Sequence, residues 1–384
     1  MTLGFISEKI RFNRNELSGA FGDIGTDLPL IVAMLAATDL KAANILIIFG
    51  TLQVLTALVY GIPMPVQPLK AVALIVITQK LSSAVIFGGG LAIGVIMLIL
   101  SLTGVITYLN RLIPKAVIRG IQLGLGLQLC LMSMKDLIPA NHATGYVVAI
   151  IAFALGIVLI GNKKFPPAVF IILLGFVYTL IFNVPLFEKI AFQLPVFEMP
   201  RVSFEHVLTG FLLLSLPQLP LSLTNSVFAT RQMVADYFPE KKITAKKIGI
   251  TYSFMNIVAA LLGGIPVCHG SGGIAGHYTF GGRTGGSTFI YGLFYIIMGL
   301  FFGLNPGNLF LLFPKPILGV ILLFEGIALI LLSKNIFANK RKFFIAVMVG
   351  LMANGLPYGY LIGMIAGTVI YYLPQRWILR HFGE

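Results

Sequence analysis

Charge is what this chain has least of. Asp, Glu, Lys and Arg make up 10% of its 384 residues, against 58% hydrophobic residues and a mean hydropathy of +0.96. Soluble chains carry about 25% charged residues, so the shortage excludes a water-soluble fold. Cysteine is almost missing as well. Cys130 and Cys268 fall in apolar segments of different halves, which gives neither a metal motif nor a disulfide framework. No P-loop, nucleophile elbow, HExxH or Gly-rich dinucleotide fingerprint occurs. Without a nucleophile–base set or metal ligands, an enzyme is disfavoured, even a membrane-embedded one. No cofactor is implied. The first apolar run carries Asp23 and Asp27 and is too long for a signal-peptide core, so it reads as a retained helix.

What is present in quantity is apolar sequence of spanning length, since roughly 17–25 such residues cross ~30 Å of hydrocarbon. Fourteen hydrophobic segments can be drawn, in two sets of seven. They lie near 18–38, 42–60, 64–79, 84–109, 116–134, 144–161 and 165–183, then 206–230, 245–265, 268–282, 286–304, 316–333, 341–355 and 357–373. The expected fold is an all-α polytopic membrane protein with halves 1–183 and 206–384 joined by a polar connector, 184–205. No cytoplasmic regulatory domain is expected. The net charge of +14 reports topology. With fourteen crossings and both termini cytoplasmic, 20 of the 27 Lys and Arg fall on the cytoplasmic side, including Lys163 and Lys164. Lys41, Lys80, Lys135, Lys189, Arg201 and Lys315 fall outside, and Lys70 lies within the membrane. No basic face is interleaved with exposed aromatics, so a nucleic-acid partner is excluded.

A proline-led segment occurs twice, as GIPMPVQPLKAVA (Gly61–Ala73) and GGIPVCHGSGGIAG (Gly263–Gly276). Pro65 aligned with Pro266 brings Pro114-Lys115 beside Pro314-Lys315, at separations of 49 and 48 residues. Three prolines within Pro63–Pro68 cannot sit in a regular helix. The third and tenth segments therefore read as short extended stretches entering half-helices, a backbone tolerated at membrane depth only against protein or a cavity. Paired breaks of this kind mark the substrate site of secondary transporters. Two facing half-helix N-termini offer orphan N–H donors and a positive potential that suit an anion. The bland alternative is a pair of kinks that only shape packing.

The few intramembrane charges each cost about 2.5–3.5 kcal/mol or more at the bilayer centre, so each calls for a partner. Asp23 and Asp27 share one face of the first helix. Lys70 pairs with one of them or faces the substrate. Glu325 sits alone in the twelfth segment. His269, at the second break, could donate to an anion or carry a proton, and Gln218 and Asn225 read as cavity lining in the eighth segment. The GLGLQL run (Gly124–Leu129) reads as close helix packing.

Five strings together resemble the molybdate-transporter branch of the sulfate permease superfamily over nearly the whole chain. They are ELSGAFGDIGTDLPL (Glu16–Leu30), MPVQPLKA (Met64–Ala71), PKAVIRGIQLGLGL (Pro114–Leu127), QLPLSLTNSVFAT (Gln218–Thr230) and, the most specific, CHGSGGIAGHYTFGGRTGG (Cys268–Gly286). The resemblance implies a seven-plus-seven inverted repeat with core and gate domains. It places the anion between the third and tenth segments, at Asp23, Thr26, Gln67, Lys70, Gln218, Asn225, Cys268, His269, Gly270 and Ser271. Asp27 departs from the pattern, where an apolar residue is expected.

The expected function is secondary transport of a tetrahedral oxyanion, molybdate first, with sulfate or tungstate as competitors. An inside-negative potential opposes dianion entry by about 2.3 kcal/mol per charge per 100 mV. Protons carried by Asp23, Asp27, Glu325 or His269 are then the expected co-ion. The expected partners are the oxyanion, protons, the lipid bilayer of the cell membrane and a second copy in a homodimer. A nucleobase permease of the same fold would want a carboxylate within Cys268–Gly286, which has none. An anion channel would need a basic pore lining, and only Lys70 lies at depth.

Overall fold

The computed structural model describes residues 9–159, 167–182, 192, 195, 199–302 and 314–373. Most of the connector 184–205, and Lys163, Lys164 and Lys189 among the cations counted above, lie outside them. Each of the fourteen hydrophobic segments contains helix. The first half runs α1 (Arg14–Ala20), α2 (Ile24–Ala37), α3 (Ala42–Tyr60), β1 (Val66–Pro68), α4 (Lys70–Gln79), α5 (Ser83–Thr103), α6 (Val105–Leu112), α7 (Lys115–Met132), α8 (His142–Leu159) and α9 (Pro167–Phe182). The second runs α10 (Phe204–Tyr237), α11 (Ala245–Leu262), β2 (Val267–His269), α12 (Ser271–Thr279), α13 (Gly286–Phe302), α14 (Lys315–Leu331), α15 (Lys340–Gly355) and α16 (Gly359–Tyr372).

Among the described residues, five helical stretches are long and apolar enough to cross a membrane: Ala42–Tyr60, Ser83–Thr103, Lys115–Leu159, Phe204–Tyr237 and Lys315–Lys334. A sixth is added if α1 and α2, bent by 41° at Phe21–Asp23, form one span. At ~1.5 Å per residue, α4 and α12 each reach only about half way across.

The two strands pair antiparallel with Val66 opposite His269, Gln67 opposite Cys268 and Pro68 opposite Val267. Each is reached in the same way. α3 ends on Gly61 (φ 65°) and α11 on Gly263 (φ 85°), left-handed positions that reverse the chain after the last turn and that a β-carbon would strain. A side-chain amide then holds each strand in place of the missing sheet neighbour. Gln53 of α3 donates to Val66 O (2.7 Å) and accepts from Val66 N (2.9 Å). Asn256 of α11 does the same for Val267, at 2.7 and 2.9 Å. Both amides are fully buried, and they satisfy backbone groups that lipid could not.

The two halves interlock around this ribbon. α13 packs on α3, α11 on α5, and α14 and α15 on α7. Glycines 120, 124 and 126 of α7 lie where a β-carbon would press into the α14 and α15 backbones, so the GLGLQL run is a close-packing seam. The RTGG string proves structural. Glu16, 2% exposed, accepts from the backbone N–H groups of Arg283, Thr284 and Ser287 at 2.9–3.0 Å and so fixes the turn that starts α13.

Candidate functional site

Lys70 is the first residue of α4, and its neighbours decide what it can do. Its ammonium pairs with the Glu325 carboxylate of α14, and Thr26 Oγ1 of α2 donates to the other Glu325 oxygen at 3.3 Å. This corrects the expected Lys70–aspartate pair, because both aspartates are engaged elsewhere. Asp23 accepts twice from Gln67 Nε2, at 2.7 and 2.8 Å. It also sits against Gly273 in the first turn of α12, where the helix N-terminus favours an anion. Asp27 is turned toward α13 and accepts from Tyr291 Oη at 3.1 Å, leaving its Oδ1 buried without a partner. The two acids are therefore one paired and one turned away.

α10 runs past both half-helix N-termini and meets each with an amide. Gln218 Oε1 accepts from Ala71 N at 3.0 Å, and Asn225 Oδ1 accepts from Ser271 Oγ at 2.9 Å. They are seven positions apart, about two turns, so they share a face. Pro220 supplies no N–H to the helix ladder, and the stretch Ser222–Ala229 that follows is π-helical. Gln218 Nε2 continues to Ser222 Oγ (3.3 Å), which bonds Tyr252 Oη at 2.7 Å.

A closed void of about 10 Å³ lies at the centre, lined by Lys70, Gln122, Gln218, Asn225, Ser226 and Cys268 with three leucines. That is room for no more than a single water. On the far side of the ion pair, a cavity of about 250 Å³ reaches Thr26 and Glu325 past Gly22, Gly25 and Phe280. Gln67 lies flat on Gly270, where any β-carbon would overlap its Oε1.

The structure thus brings together Thr26, Lys70, Gln218, Asn225, Cys268, Ser271 and Glu325, with Asp23, Gln67 and Gly270 in the layer behind. It does not bring in His269. Side chains alternate along a strand, so His269 points away from the face that Cys268 shares with Gln67. It bonds Thr251 Oγ1 (2.9 Å) and Pro65 O (3.4 Å), with Tyr60 edge-on at 5.5 Å. Two residues were missed in the sequence. Gln122 of α7 lines the void, and Arg119 Nη1 donates to its Oε1 at 2.8 Å, so Lys70 is not the sole cation near the site. The signal available was a polar pair three residues apart in the otherwise apolar α7.

A cation, two helix N-termini and three amides converge: Glu325 accepts from Lys70 and Gln218 from Ala71 N, while Gln122 accepts from Arg119 and Asn225 from Ser271. Within a multi-pass helical membrane fold, such an arrangement suits a transporter. Solved structures carry the fold. The chain superposes on SLC26A9 with a TM-score of 0.69 (14% identity, 93% of this chain and 65% of that one) and on murine Slc26a9, an anion transporter in the inward-facing state, at 0.70 (13%, 97% and 71%). On the transmembrane domain of the cyanobacterial bicarbonate transporter BicA the TM-score is 0.64 (14%, 95% and 99%).

The sequence model of the family described as "Molybdate transporter of MFS superfamily" matches residues 15–129 and 210–329. Molybdate transporter 1 of Arabidopsis thaliana is 31% identical over 96% of this chain and 89% of its own, and Molybdate transporter 2 is 30% identical over 96% and 90%. Molybdate transporter 1 of Chlamydomonas reinhardtii is 22% identical over 93% and 91%. The chain belongs to the molybdate transporter family.

Proposed function

We propose that this protein is a secondary transporter of molybdate that works by alternating access, with the anion bound between the N-termini of α4 and α12. The observation that carries the reading is Lys70 at the start of α4, facing a small void to which Gln122, Gln218, Asn225 and Cys268 bring polar groups among three leucines. Dehydrating a dianion is costly and needs compensating charge in a low-dielectric site. Lys70, the helix ends and the Arg119–Gln122 pair supply it. In this reading the fourteen segments all cross or enter the membrane as a seven-plus-seven inverted repeat, with α4 and α12 as the half-helices. The matched devices of Gln53 with Gly61 and Asn256 with Gly263 support that repeat. The predominance of Lys and Arg on one side supports cytoplasmic termini in a cell membrane.

Glu325 gives the proton a place in the cycle. Its carboxylate is a tethered anion occupying the cation that substrate needs. Protonating Glu325 removes that competitor, so Lys70 is released to the incoming anion and the proton offsets one of the dianion's two charges. Glu325 faces Lys70, Thr26 and, further back, Asp23 and Asp27, and its 250 Å³ cavity provides access. Because α14 carries Glu325 while α2 and α4 carry its partners, breaking the contact also frees one group of helices to move against the other.

Uptake of molybdate into proteoliposomes tests both parts, with tungstate, sulfate, bicarbonate and uracil as competitors. Molybdate and tungstate are expected to compete, uracil not. An inward proton gradient should accelerate wild-type uptake and leave Glu325→Gln unaffected. Wild-type uptake indifferent to the gradient removes the proton from the mechanism. Competition by uracil alone would replace the substrate class.

A further inference from the structure

Several cations that the central site does not use gather where α10 leads into α11. The end of α10, the connection and the start of α11 carry Arg231, Lys241, Lys242, Lys246 and Lys247 against Asp236 and Glu240. Four of these cations, Arg231, Lys241, Lys242 and Lys246, line a cavity of about 500 Å³ that has no carboxylate in its wall. Asp236 is turned away, accepting from Gln232 Nε2 at 2.8 Å.

This connection is held in shape. Val234 and Phe238 are buried against Tyr60, Ile62, Met64 and Ile274. Lys241 N donates to Phe238 O and Ile243 N to Lys241 O, each at 2.9 Å. Thr244 caps α11 by accepting from Lys247 N at 3.1 Å, and the α11 N-terminus adds its own positive end to the cavity wall. The like charges are thus kept together rather than left free to spread. Their mutual effect reaches Lys9, held below the ordinary lysine range by burial and by the nearby Lys247 and Lys241.

A separate feature bears on where this cavity would sit relative to lipid. α6 branches from the end of α5 after Gly104 (φ 78°). It buries Ile106 and exposes Val105, Tyr108 and Leu112, spaced i, i+3 and i+7 along one stripe. A short exposed helix with one apolar stripe lies where acyl chains meet headgroups. Thr107 of that same helix lines the basic cavity. With that helix at the interface, the cations would stand at the level of lipid phosphates.

We propose that this cavity binds the phosphate of an anionic phospholipid headgroup. Four cations without an acidic wall select negative charge, and the α6 stripe beside them offers the acyl chains their place. The small core beneath the connection includes Ile62 and Met64, which lead into β1. A bound headgroup would therefore brace the approach to the transport site.

The test uses the purified full-length protein in detergent, titrated with phosphatidylglycerol or phosphatidylcholine and read by native mass spectrometry as lipid retained per protein. Each Lys at an anionic lipid contributes roughly fivefold, so Lys242→Ala/Lys246→Ala should cut phosphatidylglycerol retention about twentyfold. Lys340→Ala/Lys342→Ala removes the same charge elsewhere and should leave retention within about twofold. Equal loss in the two double variants, or equal retention of the two lipids by wild type, overturns the site. A parallel thermal-shift titration with inorganic phosphate should give no stabilisation where phosphatidylglycerol does. Equal stabilisation by free phosphate overturns the lipid as its source.

Discussion

The arms β1–α4 and β2–α12 are built alike in backbone and unlike in chemistry. Each follows a left-handed glycine, each strand is held by one buried amide, and each short helix begins at the centre. On this common frame the first arm carries the cation, Lys70, and the amide of Gln67. The second carries no charge but the small residues Gly270, Ser271, Gly272 and Gly273, which let Gln67 and Asp23 approach its N-terminus. The two arms share the geometry that brings two helix ends together. Their side chains put attraction on one arm and room on the other, which would suit an asymmetric ligand shell around a small anion.

The sharpest way to break this division is to remove the charge. Lys70→Met should lower molybdate uptake by at least two orders of magnitude. It should also destabilise the protein by about 3–5 kcal/mol, because Glu325 is left without its partner. The double variant Lys70→Met/Glu325→Gln should recover most of that stability in thermal unfolding, but none of the uptake. Recovery of transport in the double variant would mean that the first arm does not supply the attraction.

Removing room from the second arm comes next. Gly270→Ala drives a methyl into Gln67 and should reduce uptake tenfold or more, at a cost of about 1–3 kcal/mol in stability. Ser271→Ala loses one hydrogen bond to Asn225, about 1 kcal/mol, and should weaken molybdate binding only several-fold. A reversal of that order would show that polarity, not space, is what the second arm contributes.

The shared frame makes a symmetrical prediction. Gln53→Ala and Asn256→Ala each orphan a buried N–H and C=O, so each should lower stability by roughly 2–4 kcal/mol, equal within about 1 kcal/mol. Unequal losses in matched unfolding curves would mean that one strand leans on the other. The smallest effect is expected at His269. Its ring is occupied by Thr251 and Pro65, so His269→Gln should leave molybdate affinity within about twofold while lowering stability by about 1 kcal/mol. A large loss of affinity would return His269 to the site.

Much of the architecture was legible because it follows from local chemistry. Three prolines in six residues must interrupt a helix wherever they fall, and intramembrane charge must be rare and accompanied. Partner choice was not legible. Lys70 and Glu325 are 255 residues apart, and nothing in either segment distinguishes Glu325 from Asp23 or Asp27 as the mate. His269 was misplaced because the direction of a strand side chain depends on register, and one step along β2 exchanges the faces. Gln122 and Arg119 were passed over because polar groups on a packing helix look structural until the helix opposite is known. RTGG, part of the most specific string of the resemblance, serves Glu16.

By itself the sequence determined the solvent, the class of fold and the place of the breaks, since hydrophobic length and missing N–H groups act within a few residues. It also determined that positive charge at depth would be centred on Lys70. Only the tertiary structure decided how that charge is held. Helices from both halves bring Glu325 to Lys70, Gln67 to Asp23 and the α10 amides to the two N-termini. Such pairings depend on distance in space, which the order of residues along the chain does not specify.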